Sequence, residues 1–298
     1  MIVLTGATGF LGSRLLSKLL LSRKVCIVVR DASKFDRIKN YLNHDNLRVY
    51  NLDRNSLDDI FKENQVQVVI HTATEYGRNS ESISEVLNSN LILPIRLIEH
   101  AVKYNVPLFI NTDSYFNKND SYYSSLFNYS LSKKSLLIWL KHLSNKIKVI
   151  NARLEHIYGP GDNKNKFVEK LIMNVAIERI SEIKLSQGYQ KRDFIYIDDV
   201  VDAYVRLIDY GLSNEFTYKT FEIGSGKSIQ IRKFANKVKC ISQSPTLLNF
   251  GAIEYREDEI MDSKANVDDL HQLGWKSTVN VDQGLLKIIE IYSNSIVS

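Results

Sequence analysis

The chain begins with "MIVLTGATGFLG" (residues 1–12), in which an apolar run leads into three glycines and then into a Leu-rich stretch. A glycine turn between a strand and a helix lets backbone N–H groups approach a phosphate, and the helix dipole favours the negative charge. Gly12 would also let the helix pack close to the strand. The position of Gly6, Gly9 and Gly12 therefore predicts a phosphate-binding turn rather than a simple tight turn.

The composition is that of an ordinary globular protein and excludes several functional classes. The 298 residues are 44% hydrophobic and 24% charged, with a formal net charge of +5. Lys and Arg are scattered, so we expect no nucleic-acid partner. No apolar run approaches the ~18–20 residues of a membrane span, and the first predicted strand leaves no room for a signal peptide. Because Cys26 and Cys240 stand far apart without a CxxC motif, we expect a cytoplasmic protein.

Short β-branched runs alternate with helical patterns through the first half of the chain. Strands are predicted at 1–6, 24–29, 47–52, 66–73, 107–112 and 147–154. Between them apolar residues recur at helical spacing, including one long helical pattern over 83–105. Apolar strands separated by helices indicate an α/β fold with a doubly wound, Rossmann-like parallel sheet. We predict a mainly dinucleotide-binding domain over 1–154 and a smaller, mainly substrate-binding lobe over 155–298, with segments that return to the sheet.

Further motifs along nearly the whole chain resemble those of the extended short-chain dehydrogenase/reductases, the family of nucleotide-sugar epimerases, dehydratases and reductases. The glycines have this family's TGxxGxxG spacing rather than GxGxxG. The other matching motifs occur in the family's order: "VVIHTA" (68–73), "NLILP" (from Asn90), "INTDS" (110–114), "YSLSK" (129–133), "IYGPGD" (157–162), "RDFIYIDDV" (192–200) and "LGW" (273–275). The resemblance implies that the glycine turn holds a nicotinamide dinucleotide.

The residue that ends the second predicted strand bears on which dinucleotide is bound. An acid at this place binds the ribose 2′-OH of NAD, whereas Arg accommodates the 2′-phosphate of NADP. The chain has Arg30 there, with Lys34 and Arg37 further on, so NADP(H) is preferred. NAD(H) stays possible, because a shift of one residue would place Asp31 in the ribose position. The resemblance gives the cofactor-binding set as Gly6, Thr8, Gly9, Phe10, Leu11, Gly12, Arg30, Asn51, Leu52, Thr72, Ala73, Thr74, Tyr129 and Lys133.

Tyr129 and Lys133 are four residues apart in a helical pattern, so their side chains should share one face. A new alkoxide needs a proton, and a free Tyr with a pKa near ~10 is a poor shuttle at neutral pH. A nearby ammonium and the positive charge of an oxidised nicotinamide would lower the pKa of the phenol. The resemblance implies that Thr112, Tyr129 and Lys133 are catalytic, with Thr112 orienting the substrate oxygen that Tyr129 serves.

The residues after Thr112 bear on the type of reaction. The family's 4,6-dehydratases have Asp and Glu there, whereas this chain has Asp113 and Ser114, and a hydroxyl cannot replace the carboxylate base. The motifs are most similar to those of the bacterial CDP-sugar 4-reductases, the CDP-abequose and CDP-paratose synthases. They imply an NADPH-dependent reduction of a nucleotide-linked 4-ketosugar in O-antigen biosynthesis. A 4-epimerase with tightly bound NAD and a non-catalytic dinucleotide-binding protein remain alternatives.

The same resemblance supplies candidate contacts for a nucleotide-sugar substrate. Glu75, Tyr76 and Arg78 belong to "EYGRN" (75–79) beyond the fourth strand. Paired guanidinium groups suit a diphosphate, so Arg192 and Arg256 are candidates, assisted by Lys166, although each could instead be a solvated surface cation. His156 replaces an Asn common in the family. The full set is Glu75, Tyr76, Arg78, Asp113, Ser114, His156, Lys166, Phe167, Arg192 and Arg256.

The helix that carries Tyr129 has apolar residues over more of its surface than one buried face requires. This pattern indicates either a helix enclosed within the monomer or a helix that packs on a second subunit, and we expect a homodimer. The histidines show no spacing typical of metal ligands, so we expect no metal site.

Overall fold

The computed structural model describes residues 1–78, 81–118 and 123–297. Its strands are β1 (Ile2–Thr5), β2 (Val25–Val29), β3 (Leu47–Asn51), β4 (Val68–His71), β5 (Leu108–Ser114), β6 (Lys148–Leu154), β7 (His156–Tyr158), β8 (Glu182–Leu185), β9 (Lys191–Tyr196), β10 (Tyr218–Ile223), β11 (Ser228–Gln230) and β12 (Leu247–Phe250). Its helices are α1 (Phe10–Leu20), α2 (Leu57–Lys62), α3 (Ile83–Leu87), α4 (Leu93–Lys103), α5 (Phe127–Leu143), α6 (Phe167–Ile172), α7 (Ile197–Ser213), α8 (Ile231–Ile241), α9 (Asp268–Gln272) and α10 (Val281–Val297).

The described chain divides into two compact units. The first consists of Met1–Arg153 and Val201–Phe221, and the second of Leu154–Val200 and the chain from Glu222 onward. The boundary after Arg153 falls at the end of β6, and most of α7 and of β10 belongs to the first unit again.

Within the described ranges, seven strands form the sheet of the first unit in the order β10-β6-β5-β4-β1-β2-β3. β1 pairs in parallel with both β2 and β4, so that Leu4 lies opposite Ile27 and Ile70. β1, β2 and β4 are buried at every position, as expected for strands covered on both faces. The doubly wound parallel sheet predicted from the sequence is confirmed.

The helical pattern predicted over 83–105 is interrupted in the structure. α3 ends at Leu87, a π-helical turn spans Asn88–Ile92, and α4 begins at Leu93 with Pro94 in its first turn. The N–H of Leu93 still donates to the carbonyl of Asn88 in the wide turn, whereas Pro94 has no N–H, so the regular series of helical hydrogen bonds is interrupted here. The wide turn between the two helices contains Asn90, whose side chain is completely buried.

In the second unit, two aspartates of the "RDFIYIDDV" motif hold backbone in place. The buried carboxylate of Asp193 accepts hydrogen bonds from the N–H groups of Ser225, Gly226 and Ala265, at 2.8, 2.9 and 3.1 Å. Asp199 accepts from the N–H groups of Thr278 and Val279. Because these carboxylates stabilise loops, they are structural in this unit.

Candidate functional site

The glycine turn connects β1 to α1, and its backbone is packed so closely that side chains would not fit at Gly6 and Gly12. Gly6 has a φ of +71°, which favours glycine, and the N–H of Gly9 donates to its carbonyl at 2.9 Å. A Cβ on Gly6 would lie 2.5 Å from the nitrogen of Ala73, and a Cβ on Gly12 would lie 2.0 Å from the Gly6 oxygen. Gly9 is the N-terminal cap of α1, so the N–H groups of the first helical turn, which have no acceptor within the helix, follow it. This cradle fits a dinucleotide pyrophosphate.

Near the ends of β2 and β3, the structure shows which charged side chains already have partners within the protein, which the sequence alone does not. The Asp31 carboxylate accepts from the side-chain amide of Asn51 at 2.6 Å and pairs with Arg54 at 2.9 Å. Arg30 is exposed directly after β2, and Arg37 donates to the carbonyl of Thr8 in the glycine turn at 3.4 Å. Arg30 and Arg37 therefore bring positive charge to this part of the cofactor site, while Asp31 already has partners.

The loop after β4 is fixed on both sides. The hydroxyl of Thr72 donates to the Thr5 carbonyl at 2.7 Å, which joins the loop to β1. The side-chain oxygen of Asn90 accepts from the Thr74 hydroxyl and from the N–H of Glu75, while its amide donates to the Glu75 carbonyl and to Ser132 on α5. Sequence reasoning had not assigned Asn90 a role, although the "NLILP" motif begins with it.

The three predicted catalytic residues come together at the end of β5 and the beginning of α5. Tyr129 and Lys133 are 4% and 2% exposed and lie one turn apart on α5, as predicted. The ammonium of Lys133 donates to the backbone carbonyl of Thr112 at 2.9 Å. The Thr112 hydroxyl lies 2.6 Å from the hydroxyl of Tyr204 on α7, a residue that sequence reasoning missed because no motif marks it.

The Tyr129 ring is covered by other aromatic rings. Tyr76 stacks on it with ring centroids 4.7 Å apart and planes at 23°, and Phe116 meets it edge-on at 6.1 Å. Arg78 lies 4.9 Å from the centroid of the Tyr76 ring. Tyr76 thus contacts Tyr129, and Arg78 contacts Tyr76. The predicted substrate contacts of these residues stay predictions, and Asn79 of the motif lies outside the described residues.

The structure corrects one prediction about Tyr129. The sequence led us to expect that Lys133 lowers the pKa of the phenol, but burial raises the pKa of Tyr129 well above its usual range. Tyr76 and Asp113 raise this pKa further, while a hydrogen bond with Ser114 opposes them. The reason is that removal of the phenolate from water outweighs the opposing hydrogen bond, while the ammonium of Lys133 donates to a carbonyl instead. Tyr129 is therefore a protonated phenol at neutral pH.

Asp113 lies beside the catalytic residues, but its carboxylate has internal partners. One oxygen accepts from Asn117 at 2.6 Å, and the other accepts from Asn151 at 2.9 Å and from Arg153 at 3.0 Å. Both carboxylate oxygens of Asp113 are therefore already bonded to side chains of the protein. The predicted contact of Asp113 with substrate stays a prediction.

The remaining predicted substrate residues belong to the second unit. His156 lies beside the buried carboxylate of Glu155, and Lys166 pairs with Asp162 at 2.9 Å. Phe167 is 39% exposed at the beginning of α6. Arg192 is buried and donates to the Glu259 carboxylate and to the carbonyls of Lys191 and Ile260, whereas Arg256 is exposed. Arg192 thus has internal partners, which the sequence could not reveal.

None of the helices in the described ranges combines the length and apolar character that crossing a bilayer requires. Over the same ranges, no group of three or more His, Cys, Asp or Glu side chains is placed to hold a metal ion.

The buried ammonium of Lys133 should make stability depend on pH. Burial lowers the pKa of Lys133 from 10.5 to about 8, a difference equivalent to about 3 kcal/mol. Burial of the charged Lys133 destabilises the folded protein. Because the pKa is lower in the folded protein than in the unfolded chain, this destabilisation is complete below pH 8 and disappears as the pH rises to 10.5. Lys133→Met removes this penalty at every pH. The free energy of unfolding of the variant minus that of the unsubstituted protein should therefore be highest below pH 8 and should fall by about 3 kcal/mol towards pH 10.5.

Urea unfolding between pH 7 and 10.5 measures this difference. Lys141→Met, on an exposed position of the same helix, is the control and should show no such change. A difference for Lys133→Met that is constant with pH would contradict the prediction.

The chain is similar to known proteins over its whole length. The sequence profile of the NAD dependent epimerase/dehydratase family matches residues 2–224. CDP-abequose synthase of Salmonella typhimurium is 33% identical over 297 residues, and that of Salmonella muenchen is 34% identical, with 97% of each chain covered in both comparisons. A solved structure of UDP-glucuronic acid 4-epimerase from Bacillus cereus has the same fold, with a TM-score of 0.83, 20% identity and 99% of each chain covered. The chain therefore belongs to the NAD-dependent epimerase/dehydratase family, the extended short-chain dehydrogenase/reductases.

Proposed function

We propose that the protein is an NADPH-dependent 4-ketoreductase of a nucleotide-linked deoxysugar, with a CDP-4-keto-3,6-dideoxyhexose as substrate, and that it acts in O-antigen or related polysaccharide biosynthesis. The observation that carries the proposal is the buried phenol of Tyr129 one helical turn from Lys133, whose ammonium donates to the backbone carbonyl of Thr112. The resemblance to proteins named CDP-abequose synthase supports the choice of substrate.

The geometry favours reduction over dehydration. Dehydration needs a free carboxylic acid and a carboxylate base next to the ketone, but Asp113 is held by Arg153 and two amides, and position 114 is a serine. Reduction of a ketone needs one proton donor for the oxygen and a second hydrogen-bond donor to stabilise the developing alkoxide. Tyr129 and Thr112 supply hydroxyl groups for these two tasks.

The reaction adds one hydride to C4 and one proton to the C4 oxygen. A bound nicotinamide dinucleotide supplies the hydride. Tyr129 donates its phenolic proton to the oxygen and recovers a proton from solvent, while Thr112 donates a hydrogen bond to the same oxygen. The ammonium of Lys133 stabilises the phenolate left after proton transfer, and it would hold the ribose of a bound nicotinamide.

Further residues are proposed to hold the substrate. In the first unit Glu75, Tyr76, Arg78 and Ser114 contact the sugar, because Tyr76 and Ser114 both touch Tyr129. For Lys166, Arg256, His156 and Phe167 of the second unit, the contacts with substrate that the family resemblance implies stay predictions. Arg192 is the least accessible of the proposed cations, since its guanidinium already binds Glu259.

Turnover with a panel of 4-ketosugars tests this function. Incubation of the protein with CDP-, UDP-, GDP- or dTDP-4-ketosugars should consume NADPH in proportion to product, with the CDP-sugar preferred and one configuration formed at C4. Tyr129→Phe should lose about 10²- to 10⁴-fold in turnover while NADPH still binds.

Tyr104→Phe is the control, because its hydroxyl bonds Asp58 away from the site and its loss should leave turnover unchanged. Interconversion of UDP-hexoses without net cofactor consumption would instead establish a 4-epimerase. Unchanged turnover in Tyr129→Phe would indicate that this residue is not the proton donor.

The preference for NADPH is proposed to depend on Arg30. Its exposed guanidinium follows β2, and the neighbouring Asp31 is already bonded to Asn51 and Arg54. Arg30→Ala should therefore raise the KM for NADPH by about tenfold or more and leave that for NADH nearly constant. Lys39→Ala, at an exposed position, is the control, and equal effects on both cofactors would contradict the assignment.

A homodimer is proposed to form through α5. This helix exposes Ile138 (72%), Trp139 (49%) and Phe127 (48%), an apolar surface that water would not stabilise. Sedimentation at micromolar concentration should give the mass of two chains, and Ile138→Asp should shift it to one. Ile253→Asp, at an exposed position of the second unit, should not change the mass, and a monomeric unsubstituted protein would refute the proposal.

A further inference from the structure

We propose that Tyr204 is a positioning residue that fixes the hydroxyl of Thr112 as a hydrogen-bond donor toward the substrate oxygen. The inference rests on the ketoreductase function proposed above and adds to it a residue outside the Thr112, Tyr129 and Lys133 set. The observation behind it is the 2.6 Å contact between the hydroxyl oxygens of Thr112 and Tyr204.

Tyr204 is built into the first unit as a fixed support. It lies on α7, within the segment Val201–Phe221 that belongs to this unit, and its side chain is completely buried. Thr112, near the carboxyl end of β5, is only partly buried. One side of the Thr112 hydroxyl therefore faces a buried phenol, while the residue keeps some access to solvent and ligands.

The burial of Tyr204 determines which of the two hydroxyls donates. Burial raises the pKa of Tyr204, so the phenol keeps its hydrogen at neutral pH. A buried O–H without an acceptor is costly, and of the residues that the structure describes, Thr112 is the one bonded to this hydroxyl. The phenol thus donates to the Thr112 oxygen, and the hydrogen of Thr112 must point elsewhere.

The second polar group of Thr112 is also fixed. Its backbone carbonyl accepts the hydrogen bond from Lys133 at 2.9 Å, so the residue is held through its main chain and through its side chain. The hydrogen of its hydroxyl is then available for the substrate. In the opposite orientation, Thr112 would present lone pairs to the substrate oxygen and would repel a developing alkoxide.

The hydrogen bonds from Tyr204 to Thr112 and from Thr112 to the substrate oxygen should therefore stabilise the transition state more than the bound ketone. Each hydroxyl that donates to the next one polarises it, and negative charge grows on the substrate oxygen only as hydride is added. Loss of the Tyr204 hydroxyl should therefore lower kcat more than it raises KM. If Tyr204 served only in packing, the effect of its loss would not depend on the Thr112 hydroxyl.

A double-mutant cycle between Tyr204→Phe and Thr112→Val tests the inference. With NADPH and the best 4-ketosugar of the panel, Tyr204→Phe should lower kcat about tenfold, the effect of roughly one hydrogen bond. In the Thr112→Val background the same change should have almost no effect, because the hydroxyl that Tyr204 orients is missing. In a Thr112→Ser background, which keeps a hydroxyl, Tyr204→Phe should again lower kcat.

Tyr50→Phe is the matched control. It removes a buried phenol that bonds Glu63 and Asn64 in the same unit, and kcat should not change. Thermal unfolding of every variant establishes that the variants are folded. An equal loss of kcat from Tyr204→Phe in the unsubstituted and Thr112→Val proteins, or no loss in either, would overturn the positioning role while the ketoreductase function stands. An unsubstituted protein that reduces none of the ketosugars would overturn both.

Discussion

The hydrogen bond from the buried ammonium of Lys133 to the carbonyl of Thr112 is the interaction on which the proposed site depends. It joins α5 to β5 and thereby sets Tyr129, one turn before Lys133, against the end of the strand that carries Thr112. The arrangement costs stability, because an ammonium is removed from water. The surrounding sheet supplies the compensation through fully buried, mainly apolar strands such as β1 and β4. The fold thus keeps the ammonium of Lys133 buried, whereas the same side chain on an isolated helix would be exposed to solvent.

Polar networks rather than apolar packing determine the precise geometry around this bond. Asp113 ties the end of β5 to Asn151 and Arg153 on β6 and to Asn117 in the turn that follows. Asn90 ties the loop after β4 to α5. Asp113, Asn151, Asn117 and Asn90 are buried, so the loss of one of their partners would leave an unsatisfied donor or acceptor. The site is therefore held in one conformation by hydrogen bonds that cannot be replaced by water.

Features set by local sequence could be predicted, and features set by tertiary contacts could not. The six strands predicted in the first half all occur, since a continuous apolar run has few alternatives to a buried parallel strand. The common face of Tyr129 and Lys133 follows from helix periodicity alone. In contrast, the raised pKa of Tyr129 depends on burial, and the pairing of Arg192 with Glu259 joins residues 67 positions apart. Tyr204 was missed for the same reason, since 92 residues separate it from Thr112.

The wide turn that carries Asn90 has a mechanical consequence. The amide of this residue reaches from Glu75, which adjoins the ring stacked on Tyr129, to Ser132, which precedes Lys133. A ligand that pushes on the segment Thr74–Tyr76 must either carry α5 with it or break these bonds. The segment Thr74–Tyr76 and the phenol of Tyr129 thus belong to one hydrogen-bonded linkage. In the proposed reaction, a poorly fitting sugar would therefore also displace the proposed proton donor.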